Sequence, residues 1–260
     1  MSCVPMEAES EISEDAILGG RLRVRQPLLG HRVGHDAILL AAATPAGAAG
    51  RAVELGAGIG AVGLAFAARV PRTKVTLVEI DAELCALARD NARLNGLEDR
   101  ITVANADAES TDALQSAGLL PESFDRVLMN PPFHDARRHN VSPDPRRRLA
   151  HSGKPGLLAR WISTAAWLLE PRGVLTLIWR ADGLNEVIDR LQPAFGAIAM
   201  LPVHPRAGVP PIRVLVQAVK GGDASRKIYA PLYLHDKSGR PTAAAEAILR
   251  EGDTLPIADR

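Results

Sequence analysis

The run Glu54-Leu-Gly56-Ala-Gly58-Ile-Gly60 lies between an apolar stretch, Arg51–Leu55, and a longer one, Ala61–Val70. No other feature constrains the fold as much. A short apolar run bounded by turn residues reads as a buried strand, and a longer one opening after glycines reads as a helix. Glycines between the two allow a tight turn and let a ligand come close to the backbone. A strand feeding a helix in this way belongs to a crossover connection and so to a parallel sheet covered on both faces.

The alternation continues downstream. Val75–Ile80, Ile101–Ala104, Phe124–Met129, Val174–Trp179 and Val214–Val219 are predicted strands. Leu84–Leu94, closed by Asn95-Gly96, Leu157–Leu169, closed by Pro171 and Gly173, and residues near 183–192 are predicted helices. The expected fold class is α/β, with a mostly parallel sheet. Upstream, residues 1–15 are acidic and expected to be disordered. Residues 16–33 alternate Leu22 and Val24 with Arg21, Arg23 and Arg25, which suggests a small hairpin. Asp36 is expected to cap a short apolar helix stopped by Thr44-Pro45. Residues 16–50 are expected to pack on residues 51–260 as one globular unit. The tail carries a strand-like run, Ile228–Leu234, and a helix-like run, Thr242–Arg250. Residues 134–156 have no period and many charges, and a basic loop of that length is usually functional or disordered.

Composition sets the outer limits. In 260 residues, 47% are apolar and 23% charged, enough for a packed core. A net charge of +1 excludes a polycation without excluding nucleic acid, because distribution matters more than sum. Two cysteines, Cys3 and Cys85, make neither a disulfide framework nor a four-cysteine zinc site. Cys85 is expected in the core. His31, His35, His134, His139 and His151 lack metal-ligand spacing, so no metal is expected. No apolar run approaches the roughly 20 residues of a spanning helix. The acidic start is unlike a signal peptide, so a cytoplasmic location is expected.

The glycine turn leaves its ligand open. Gly56, Gly58 and Ala61 satisfy the dinucleotide pattern, with an acid about 20 residues on. Three acids argue for a different adenosine ligand. Glu54 lies inside the strand end, where a carboxylate does nothing for a pyrophosphate but suits a ligand carrying an ammonium and a sulfonium. Glu79 ends the second core strand and can accept both ribose hydroxyls. Asp107 ends the third and can accept an adenine amino group. Asp81 is expected to cap the next helix instead. The three acids sit at consecutive strand ends, where open α/β sheets bind ligands.

At these residues the chain resembles class I S-adenosylmethionine-dependent methyltransferases, from residue 51 to about 220. The resemblance implies a Rossmann-like, seven-stranded core and S-adenosyl-L-methionine as cofactor. It implies the glycine turn (Gly56, Ala57, Gly58, Gly60) at the methionine part, Glu79 and Ile80 at the ribose, Asp107 and Ala108 at the adenine, Asn130 nearby, and Glu54 beside the ammonium.

Asn130-Pro131-Pro132-Phe133 follows the fourth core strand. An amino group conjugated to a ring or carbonyl is a poor nucleophile. The Asn130 side-chain oxygen and the Pro131 carbonyl can hold its two hydrogens and free the lone pair for in-line attack. The two prolines stiffen the turn, and Phe133 can stack on a planar face. The signature resembles amino-methyltransferases acting on adenine, cytosine or the glutamine amide of release factors, with Phe133 where tyrosine is commoner. Further upstream, GGRLRVRQPLLGHRVGHDAILLAAA resembles the start of bacterial tRNA(1)(Val) adenine-37 N6-methyltransferases, and YLHDKSGRPTAAAEAIL resembles their end. That resemblance implies RNA, in particular tRNA, as partner. Arg137, Arg138, Arg146, Arg147 and Arg148 beside the presumed pocket, with the hairpin arginines, are the expected phosphate contacts.

Three other readings compete. A protein glutamine methyltransferase needs a helical domain ahead of its core, and fewer than 50 residues precede this one. Many small-molecule O-methyltransferases hold a metal with acids and do not use this turn. A non-catalytic cofactor-binding module or a dinucleotide oxidoreductase leaves Asn130 and Phe133 without a purpose.

Overall fold

The computed structural model describes residues 12–29, 32–47, 50–132 and 156–259. The sheet grows outward from β3 (Gly50–Leu55), the strand before the glycine turn. On one side β3 pairs in parallel with β4 (Thr73–Glu79), and β4 with β5 (Ile101–Asn105). On the other it pairs in parallel with β6 (Phe124–Met129), and β6 with β7 (Leu169–Arg180). β9 (Arg213–Lys220) runs antiparallel between β7 and β8 (Phe195–Arg206). Two short strands, β10 (Arg226–Ile228) and β11 (Leu232–His235), line the outer edge of β8 and bring the sheet to nine strands among the described residues, two more than expected. β8 has no counterpart among the expected strands. Pro202 and Pro205 interrupt its sequence pattern, and prolines argue against a strand unless it lies near a sheet edge, as this one does. The single run expected over 228–234 breaks at Pro231 into β10 and β11.

Among the described residues seven helices flank the sheet: α1 (His35–Ala43), α2 (Ala61–Arg69), α3 (Ala82–Leu94), α4 (Thr111–Ser116), α5 (Leu157–Leu168), α6 (Leu184–Leu191) and α7 (Ala243–Glu246). The central strands bury both faces. Ala52 and Leu128 join a core with α1 and α2, while Val53, Leu55, Val127 and Met129 join one with α5. Continuous apolar runs in these strands follow from that double burial.

α1 is apolar nearly all round, and Ala37 to Ala43 are all buried. A buried helix end leaves carbonyls that need partners. Here the Leu40 oxygen accepts from the Thr44 hydroxyl (2.9 Å), Ala42 from Leu255 N–H (3.0 Å), Ala43 from Gln217 Nε2 (2.5 Å) and Pro45 from Arg126 Nε (2.5 Å). Arg69 donates to Ala41 (2.8 Å) and to Thr44. At the other end the cap residue is Gly34, not Asp36. The chain stays extended only to Gly34, so Asp36 falls in the first turn, where its carboxylate suits the helix dipole and pairs with Arg213 at 2.8 Å.

The hairpin starts earlier than its arginines suggest. β1 (Ile12–Ile17) pairs with β2 (Leu22–Pro27), so part of the acidic segment expected to be disordered is strand. The acids have work there: Glu14 pairs with Arg23 and Arg25, and Asp15 with Arg32. The hairpin is therefore less cationic than β2 alone implies. Its second strand, β2, docks on α3 through two asparagines. The Asn91 amide accepts from Arg25 N–H (2.7 Å) and donates to Arg25 C=O (3.0 Å), and Asn95 does the same with Arg23 (2.9 and 2.7 Å). Four helix residues rise about 6 Å and two strand residues about 6.6 Å, so the helix imitates a partner strand. Asn91 also donates to Ile59 C=O (3.1 Å), tying the hairpin to the glycine turn.

Candidate active site

The carboxyl ends of β3, β4, β5 and β6 open on one side. Leu55 pairs with both Val78 and Met129, and Glu79 with Asn105. One residue beyond Leu55, Val78 and Met129, the chain presents Gly56, Glu79 and Asn130 together at the sheet end.

The glycines of the turn do different work. Gly56 has φ +66°, and a Cβ there would lie 2.2 Å from Cη2 of Trp161. Gly58 has φ +56°, and a Cβ there would meet nothing within 4 Å, so this part of the turn faces open space. Gly60 faces inward, against Leu77. Ala57 is buried and donates its N–H to Val78 C=O at 2.9 Å.

Glu79 is buried at the sheet end. Its two oxygens accept from Gly58 N–H (2.8 Å) and Asp81 N–H (2.9 Å), so the same carboxylate that would take a diol also shapes the turn. Each oxygen keeps a second lone pair for a hydroxyl. Next to it Ile80 is 64% exposed, an apolar surface suited to a flat ring. Asp81 caps α3, accepting from Glu83 and Leu84 N–H, as expected. Asp107 accepts from Glu109 N–H at 2.8 Å, and its partly exposed side chain keeps acceptor capacity. Ala108 is buried, and its carbonyl accepts from Thr164 Oγ1 at 2.8 Å.

Glu54 lies beneath the turn, and its carboxylate accepts from Gly63 N–H at 2.8 Å. Burial pushes this carboxyl up to about 8, and the nearby Glu79 charge adds to the rise. The folded value exceeds the unfolded one, so the stabilising contribution is fully present below about 4.5 and is lost as pH rises towards about 8. Glu54→Gln is expected to flatten that part of the stability profile, leaving the two proteins to diverge across this window. Chemical denaturation at a series of pH values checks it; parallel profiles would refute the burial argument.

Asn130 leaves β6 half-buried, followed by buried Pro131 and half-buried Pro132. Phe133, Arg137, Arg138, Arg146, Arg147 and Arg148, and the rest of the expected basic loop up to residue 155, lie outside the described residues. Cys85 is buried, as expected. Among the described residues no cluster of His, Cys, Asp or Glu could hold a metal ion, and no helix is long and apolar enough to cross a membrane.

A family model described as the methyltransferase small domain matches residues 31–203. The chain belongs to the methyltransferase small-domain family. Three proteins show what this member of the family is similar to. The tRNA1(Val) (adenine(37)-N6)-methyltransferase of Porphyromonas gingivalis is 34% identical over 160 residues, 60% of this chain and 61% of that relative. The chain thus spans about three fifths of the length of that relative. The release factor glutamine methyltransferase of Chlorobaculum tepidum is 31% identical over 155 residues, 57% of this chain and 52% of its own. The crystal structure of a predicted O-methyltransferase from Agrobacterium tumefaciens is 34% identical, with a TM-score of 0.71 over 85% of this chain and 97% of that one.

Trp161 is the site residue that sequence reasoning missed. It is buried on α5, with its six-membered ring over Gly56 and its indole Nε1 lacking a hydrogen-bond partner among the described residues. Thr164 on the same helix grips the Ala108 carbonyl, and Arg160 pairs with Glu109. The available signal was weak: a tryptophan among only nine aromatics, on the helix after the long loop.

Proposed function

We propose that the protein transfers a methyl group from S-adenosyl-L-methionine to the exocyclic amino group of an adenine in tRNA, in the cytoplasm. One observation carries the reading: Asn130 and Pro131 leave β6 at the same sheet end as Gly56, Gly58 and Glu79, which follow or end β3 and β4. The residues fit the cofactor. Gly58 faces open space, Glu79 holds a buried carboxylate at the ribose position, Ile80 offers an apolar face, and Trp161 carries an orphaned donor behind the turn. When bound, S-adenosyl-L-methionine supplies a methyl group on a sulfonium. The protein's part is orientation. The Asn130 side-chain oxygen and the Pro131 carbonyl take the two amino hydrogens and turn the nitrogen lone pair towards the methyl carbon. Phe133 stacks on the base, and Arg137, Arg138 and Arg146 to Arg148 contact phosphates.

The amino-group chemistry is common to adenine and to a glutamine amide. The name of the Porphyromonas relative and the sequence of residues 131–156, with six Lys and Arg against two Asp, favour the nucleic acid. The test is transfer of labelled methyl groups to total tRNA, followed by nucleoside analysis. Label in N6-methyladenosine is the expected result; label in protein or small molecules with unlabelled tRNA would overturn the reading. For the cofactor site, Glu79→Ala is expected to weaken binding by roughly 1 to 3 kcal/mol through lost buried hydrogen bonds. Wild-type affinity by calorimetry would remove Glu79 from the ribose role.

A further inference from the structure

Positive charge is concentrated near the end of the chain. Residues 201–241 contain seven Lys and Arg against two Asp, in a protein whose net charge is only +1. The fold gathers part of this charge at the substrate side of the site. β8 runs in the same direction as β6, because each is linked through β9 and β7 by two antiparallel pairings and one parallel one. Met129 pairs with Leu177, Leu177 with Val216 and Val216 with Met200, so Met200 is level with the strand end that carries Asn130. β8 then continues for six more residues to Arg206. At about 3.3 Å per residue its tip stands roughly 20 Å above the floor of the site, and at about 4.8 Å per strand it is roughly 14 Å to one side.

β11 pairs with this raised part only. Tyr233 lies opposite His204 and His235 opposite Arg206, so all four share one face. The rings of His204 and Tyr233 are 5.2 Å apart, and Tyr233 is 38% exposed. The turn after β11 adds Lys237 and Arg240. Asp236, the one acid there, accepts from Ser238 N–H (2.8 Å), the Ser238 hydroxyl (2.6 Å) and Arg240 N–H (3.0 Å), and the exposed Arg240 guanidinium lies 3.8 Å from it and donates to the Ser238 hydroxyl. Arg206 and Lys237 are exposed and form no ion pair with a described residue. Cations beside an exposed aromatic ring are what a nucleic-acid backbone with an unpaired base requires.

We infer that the raised β8–β11 wall, through Arg206, Lys237, Arg240 and Tyr233, is a second docking surface for the RNA substrate, gripping phosphates away from the target adenine. The inference rests on the proposed RNA reading. The four residues lie too far from Asn130 to touch the reacting base, so they act on capture of the RNA.

The test compares wild type with Arg206→Ala/Lys237→Ala and with Tyr233→Ala, using total tRNA as substrate and transfer of labelled methyl to N6-methyladenosine as readout. In the double variant KM for tRNA is expected to rise about tenfold, while kcat changes less than twofold and cofactor affinity stays the same. The slope of log affinity against log salt is expected to shrink by about one to two. A control, Arg226→Ala/Lys227→Ala, removes the same charge from β10, which pairs with Ile198–Met200 and stays at floor level. It is expected to change KM less than twofold. An unchanged KM and salt slope in the Arg206/Lys237 variant, with wild type active on tRNA, overturns the docking surface and leaves the proposed function standing. An equal loss in the β10 control also overturns it, since bulk charge then explains the effect. Label appearing in protein instead of tRNA overturns both.

Discussion

Asn130→Ala is expected to lower turnover by a factor on the order of 100 or more while leaving cofactor affinity unchanged. The side-chain oxygen of Asn130 is one of only two acceptors proposed for the amino hydrogens, and its contact strengthens as the nitrogen becomes tetrahedral. Removing one preorganised group that acts on the developing transition state typically costs 10²–10³-fold. The Pro131 carbonyl remains, so some activity survives. The substitution should be well tolerated by the fold, because Asn130 follows the last residue of β6 and is only half-buried. Single-turnover rates with saturating cofactor, alongside calorimetry, separate the two effects. Near wild-type turnover in the variant would end the amino-group mechanism.

Gly56→Ala is expected to be the most damaging one-carbon change at the site. Two penalties combine. At φ +66° a residue with a Cβ is strained by about 1–2 kcal/mol. That Cβ would also lie 2.2 Å from the Trp161 ring, and overpacking of this kind typically adds about 1–3 kcal/mol. The expected loss of stability is about 2 to 5 kcal/mol, with weaker cofactor binding because the turn must shift. A double-mutant cycle with Trp161→Leu separates the terms. Relief of the ring clash should restore the overpacking part and leave the backbone strain. Strict additivity of the two substitutions would show that the ring and the turn do not press on each other.

The central sheet was legible because its strands carry their signal locally. β3, β4, β6 and β9 are apolar runs between turn residues, and double burial makes such runs continuous. The candidate site was legible for a related reason: Glu54, Glu79, Asp107 and Asn130 all sit at or just past the place where an apolar strand stops, which can be marked along the chain without knowing the sheet order. What was not legible depends on distant partners. β8 carries two prolines and is a strand only because β9 pairs along one side and β10 and β11 along the other. Asp36 has the look of a helix cap, but its partner Arg213 lies 177 residues away. Trp161 covers Gly56 from a helix beyond the long loop. The first acids of the hairpin looked like a solvated tail because their value lies in facing the arginines of β2, and facing is not written in a single strand.

The asparagine rungs between α3 and β2 set a limit on how this protein can change. Asn91 and Asn95 reach the same strand because four residues bring a helix back to nearly the same angle. One residue inserted or deleted between them turns the second amide by about 100° away from Arg23. Substitutions across the hairpin can be absorbed, since the rungs bind backbone and do not read side chains. The length of α3 between residues 91 and 95 cannot drift in the same way, and insertions in this region belong after Gly96, where the helix has already ended.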